Sequence, residues 1–100
     1  MSRRVVLLPP AVHDLARAIR WLELLRPGVG EILRDEVDTI CERILGYPEL
    51  YALYRRDYRR AVLHRFDYSL IYRQRGETIE VVALLHTRLS PLVTQTRTNK

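Results

Sequence analysis

The side chains best suited to chemistry lie in the second half of the chain. His86 and Arg88 stand two residues apart at the end of an apolar run, so an extended backbone aims both at one face. Arg59 and Arg60 are adjacent, so a strand there sends only one of them to that face, and we assign Arg60. His64 and Tyr72 fall on neighbouring runs. Histidine, with an ordinary pKa of about 6.5, gives or takes a proton near neutrality. A guanidinium grips phosphate or carboxylate through two parallel hydrogen bonds. Arg60, His86 and Arg88 would together make a small anion site with a proton donor. Each residue also has a plain structural use. His86 could be a satisfied structural histidine, and Arg60 could pair with Asp57 or Asp67. Tyr72 is expected to pack rather than react. His13, beside Asp14, reads as a surface residue, and Cys41 as a buried, inert thiol.

Charge supports an anionic partner. Residues 1–50 hold seven arginines against eight acidic side chains, a net of −1. Residues 51–100 hold nine arginines and one lysine against four acidic side chains, a net of +6. Positive charge confined to one half of a small domain predicts one basic face, fit for nucleic acid or an acidic protein. The only lysine is Lys100, at an end expected to fray.

Several classes drop out. No phosphate-binding glycine loop or metal-ligand cluster is present, so no cofactor and no metal are expected. A single cysteine allows no internal disulfide and fits a reducing compartment. No apolar run is long enough to span a bilayer, and the short Val5–Leu8 run, stopped by Pro9-Pro10, reads as a strand rather than a secretion signal. We therefore expect a cytoplasmic protein with no membrane role.

One hundred residues make one domain. A strand covers 3–8. Proline then opens a helix whose apolar row is Val12, Leu15, Ala16, Ile19, Leu22 and Leu25, with Asp14 suited to the positive helix start. Pro27-Gly28 breaks it. A second helix over 29–45 carries Val29, Ile32, Leu33, Val37, Ile40, Ile44 and Leu45, and Gly46 and Pro48 stop it. The short break makes an antiparallel helical hairpin. Residues 50–54 add an extended piece, and 58–66, 68–74 and 78–87 read as strands, with Gly76 supplying a positive φ in the last turn. The almost wholly apolar centre of 78–87 predicts a strand covered on both faces. Pro91 ends the sheet. The expected fold is α+β, in the order β-α-α-β-β-β, with the hairpin on one face of a small, mainly antiparallel, curved sheet. The domain spans 1–93, and 94–100 form a loose polar tail.

The run from Tyr58 to Pro91 resembles the RelE/ParE toxin superfamily. The resemblance rests on Arg59-Arg60, Phe66-Asp67-Tyr68, Leu70-Ile71-Tyr72, His86-Thr87-Arg88 and Pro91, in that order and spacing. Pro10-Ala11, Asp14-Leu15, Trp21, Pro27-Gly28, Glu36-Val37 and Pro48 match in the first half. Asp67 replaces the usual turn proline, and Thr94 stands where many relatives have tryptophan before a matching Arg97.

The resemblance implies the toxin of a type II toxin–antitoxin pair, a growth inhibitor neutralised by a cognate antitoxin and tied to plasmid stabilization. It leaves the target open. A ParE-like member inhibits DNA gyrase and need not be an enzyme. A RelE-like member enters the ribosome and cuts mRNA without metal, using the neighbouring 2′-hydroxyl, and here Arg60, His86 and Arg88 would be catalytic. A degenerate member would bind a partner without toxicity. The absence of internal lysine, and Ser69 where some ribonuclease members carry arginine, favour the ParE-like side. On that reading Arg59, Arg60, His64, Tyr72, His86, Arg88 and Arg97 would form a basic face for antitoxin or target.

Overall fold

Pro9 and Pro10 occupy the first two positions of α1 (Pro9–Leu25), where a missing N–H breaks no helical bond. The helix ends at Arg26, whose N–H donates to the Leu22 carbonyl at 2.9 Å. Gly28 then takes a φ of 92°, a left-handed turn that only glycine enters freely, and α2 (Val29–Gly46) runs back along α1. The computed structural model describes residues 2–88 and 91–99, so Lys100 and its expected fraying fall outside it.

Leu33, Val37, Ile40 and Ile44, spaced by four, three and four, are the buried line of α2. On α1 the buried line differs from the expected row. Ala11, Asp14 and Ala18 are buried, Leu15, Ile19 and Leu22 are half-buried, and Val12, Ala16 and Leu25 are exposed. Alanine at two contact points lets the helix lie close over the last strand, which turns the larger apolar residues to its flank.

Gly30 sets the spacing of the hairpin. A Cβ there would lie 2.9 Å from Ile19 Cγ2, 2.9 Å from Glu23 Cγ and 3.0 Å from the Ile19 carbonyl. Its N–H donates to Glu23 Oε2 at 2.8 Å. Gly30→Ala gains at most about 1 kcal/mol of helix propensity, against about 1–3 kcal/mol of overpacking on a stiff β-branched neighbour. We expect a lower urea midpoint, and an unchanged midpoint would mean the two helices separate freely.

The sheet has five strands: β1 (Arg4–Leu7), β2 (Leu53–Arg55), β3 (Tyr58–Val62), β4 (Tyr68–Arg75) and β5 (Thr78–His86), in the order β1-β5-β4-β3-β2. Only β1 pairs in parallel, against β5, and the remaining pairs are antiparallel. Gly76 has a φ of 62° in the β4–β5 turn, as expected. The expected α+β class and helical hairpin are therefore present, and 50–54 yields a true edge strand. The third strand is shorter than expected. It stops at Val62 because the Glu36 carboxylate accepts the backbone N–H groups of His64 and Arg65 and holds that segment as a turn.

β5 is buried on both faces, as its composition predicts. Ile79, Val81 and Leu84 join the helices, with Ala61, Leu70 and Tyr72, in the main core. Val82, Ala83 and Leu85 join Tyr58 and Ile71 in a second core on the opposite face. None of the elements expected from the sequence covers that face. Instead residues Pro91–Arg97 form α3, and Val93 packs on the second core. The expected loose tail from Thr94 is thus corrected: Thr94 and Thr98 are buried, and Thr98 donates to the Thr94 carbonyl at 2.9 Å.

Candidate functional site

One irregularity in β5 decides where the candidate side chains point. Tyr72 pairs with Val81 and Ile71 with Ala83, so Val82 is an extra residue, a β-bulge. Val82 and Ala83 both join the second core, and the alternation restarts one step out of phase. Leu84 then faces the helices, Leu85 the other side, and His86 the helix side again. Plain alternation along the strand would put Val82, Leu84 and His86 on one face; the bulge turns Val82 to the other side and leaves His86 with Leu84.

The bulge is held by side chains from both ends of the chain. β1 stops pairing at Leu7, so the outer edge of β5 is free beyond Val81. Asp14 of α1 fills the gap, its Oδ2 accepting the Leu84 N–H at 3.0 Å. Arg97 of α3 clamps Asp14 through two bonds of 2.8 and 3.2 Å and donates to the Val82 carbonyl at 3.1 Å. Arg17 adds a bond of 3.2 Å from solvent. Asp14, read from sequence as a helix-start charge, is not in the first turn and is instead a buried strand cap. Arg97 is withdrawn from the expected binding face by the same network.

His86 packs edge-on against Tyr68, with ring centres 5.5 Å apart. Together with Arg17, Ala18, Trp21 and Leu84 they line a groove of about 460 Å³ between α1 and the sheet. Trp21 in its lining is 57% accessible, and Leu24 and Leu25, further along α1, are 79% and 64% accessible. Arg88 is exposed in the turn after β5, and its N–H donates to His86 Nδ1 at 3.2 Å. Arg17 and Trp21 were not among the site residues read from the sequence, since both lie off the apolar row expected for α1.

On the opposite face Arg60 is exposed, its guanidinium carbon 5.1 Å from the Tyr54 ring centre. Arg59 turns inward and donates to the Tyr51 carbonyl at 2.8 Å, as strand alternation requires. Tyr72 is fully buried on the helix side, its hydroxyl donating to the Pro48 carbonyl at 2.8 Å. It packs, as expected, and does not reach the surface assigned to it. His64 lies in the turn after β3, lining a separate groove with Glu36, Ile32 and Arg65. Arg73 lies over Tyr58 at 4.8 Å and pairs with Glu80. The structure therefore brings His86 and Arg60 to one small cleft beside Ser69, leaves Arg88 outside it, and commits Arg59, Tyr72 and Arg97 to the fold. The arginines do not gather on one bare face.

Among the described residues no group of His, Cys, Asp and Glu could hold a metal ion. Burial, with the charge of Asp38 adding to it, pushes the Cys41 thiol up from 9.0 to about 11. Burial also raises the Tyr72 and Tyr68 hydroxyls above 10.0. The unfolded chain loses these protons first, so their contribution to stability is complete below pH 9.0 and falls as pH rises towards about 11. Urea midpoints measured from pH 8 to 11 should decline, and Cys41→Ala should flatten the first part of the decline. An unaltered slope in that variant would remove Cys41 as the cause.

Hairpin, five-stranded mixed sheet and short C-terminal helix define an α+β fold. A family model described as the ParE toxin of the type II toxin–antitoxin system parDE matches residues 5–90, and the chain belongs to that family. A solved structure titled as the chromosomal ParDE system from P. aeruginosa is similar in fold, with a TM-score of 0.74 at 15% identity, covering 84% of this chain and 95% of that one. Among curated proteins, none matches. No helix among the described residues is long and apolar enough to cross a membrane.

Proposed function

We propose that this chain arrests bacterial growth by inhibiting DNA gyrase, and that a cognate antitoxin neutralises it. The match of a ParE toxin family model over residues 5–90 carries the reading. An exposed groove beside α1 supports the antitoxin part of this reading. The α1 groove offers an exposed tryptophan with Arg17 and His86, and α1 carries two further exposed leucines, Leu24 and Leu25. Such a surface suits an antitoxin segment with apolar anchors and acidic flanks.

The placement of Arg88 outside the cleft near Arg60 and His86 supports the gyrase reading over RNA cleavage, which needs base, acid and charge donors at one phosphate. One observation favours the nuclease alternative: Arg60 and His86 line the same small cleft. Expression in a bacterium separates the two. Blocked supercoiling by purified gyrase, with mRNA intact by primer extension, is the expected result. Intact supercoiling with codon-level cuts that vanish in His86→Ala would overturn the gyrase reading. The antitoxin is sought in the adjoining open reading frame, whose product should abolish growth arrest.

A further inference from the structure

We propose that a cleft between the sheet and α3 binds a tetrahedral oxyanion of phosphate size through Arg60 and Ser69. The cleft is about 120 Å³, and Tyr54, Arg60, Ser69, Thr87, Thr94 and His86 line its polar part. Ser69 is 4% accessible, and its hydroxyl is buried with no hydrogen-bond partner. A buried hydroxyl normally has a partner, and one that lacks it calls for a ligand or water. Ser69 pairs across the sheet with Leu85, so it sits on the second-core face, the face that carries Arg60.

The lining fixes the sign of the guest. Among the described residues it contains one guanidinium, four hydroxyl-bearing side chains and an imidazole, and no carboxylate. A cation would find no counter-charge there, whereas an oxyanion meets donors on several sides. Arg60 is also prepared for the task. It makes no ion pair among the described residues, and its stacking on Tyr54 steadies the guanidinium face while leaving the N–H edge free. The nearby Arg73, by contrast, is already paired with Glu80 and Asp57. The volume suits one tetrahedral anion and not a nucleotide base. The anion can come from free phosphate or from a phosphodiester in a nucleic acid strand, since both present the same oxygens. This site does not depend on the gyrase reading.

The test is titration of the full-length protein with inorganic phosphate in a chloride buffer, followed by amide NMR shifts. Shifts should centre on residues 60, 69, 87 and 94. Arg60→Gln should weaken binding tenfold or more, and Ser69→Ala threefold or more while the fold is retained. Arg75→Gln, on the distant β4–β5 turn, should bind as the wild type does. Competition by a short single-stranded RNA or DNA would identify a phosphodiester as the source, and lack of competition the free anion. Shifts spread over all exposed arginines and unchanged in the two variants, or no shifts at all, would overturn the proposal and leave the cleft to water.

Discussion

Asp14→Ala should be the most damaging single substitution at any polar residue of this protein. The carboxylate is buried and satisfies three groups: the Leu84 N–H, the Arg97 guanidinium and the Arg17 guanidinium. Removing it leaves a backbone N–H unpaired at the free edge of β5 and a mostly buried cation without a counter-charge. Loss of one partner of a buried pair costs about 3–5 kcal/mol, and the partial exposure of Arg97 places this case near the lower bound. Against a whole-domain stability of about 5–15 kcal/mol, much of the margin goes. Arg97→Ala should cost less, because Asp14 keeps the Leu84 N–H and Arg17. Arg17→Ala should cost within about 0.5 kcal/mol, as its side chain is largely in solvent. Urea unfolding of the three variants tests the order, and equal losses at Asp14 and Arg17 would refute the strand-cap account. Hydrogen exchange should report α3 loosening in the Asp14 and Arg97 variants.

Trp21→Ala should have the largest effect on antitoxin binding, and this expectation rests on the proposed function. The indole is more than half exposed beside a groove that also presents Arg17, Tyr68 and His86. A tryptophan that fills a partner pocket and is truncated loses about 2–4 kcal/mol, roughly a 30- to 1000-fold weaker complex. Because the ring is exposed in the free protein, its removal should shift stability by no more than about 0.5 kcal/mol. Calorimetry with the product of the adjoining reading frame measures the first, and urea unfolding the second. Wild-type affinity in the variant would place the antitoxin elsewhere on the molecule.

The parts legible from the sequence share one property: each is decided by neighbours a few residues away. Pro9-Pro10 and Pro27-Gly28 punctuate the helices by local sterics, and Gly76 marks its turn in the same way. The apolar run of β5 announced burial on both sides. What stayed hidden depends on distant partners. Val82 and Ala83 carry no mark of a bulge, since its cause is a carboxylate from α1 and a guanidinium from α3. The polar run Thr94–Thr98 reads as tail because its anchor, Arg97, finds its acceptor 83 residues earlier. The register slip turned the His86 ring toward the α1 groove while it still borders the cleft of Arg60, and Arg88 fell outside both. Arg60 was legible because strand alternation alone separates it from Arg59. Ser69 was noted only as a departure, and its meaning came from the lack of a partner for its hydroxyl.

The first strand and the last lie side by side, Arg4 against Thr78 through Leu7 against Val81. Such pairing closes a loop of about three-quarters of the chain, and its entropy must be spent before any contact rewards it. A ribosome therefore releases β1 and the helical hairpin long before their sheet exists, and β1 waits unpaired until β5 has been made. The fold can close only once β5 has been made. Fragments that stop short of β5 lack the edge that α1 and α3 grip, so they should be inert.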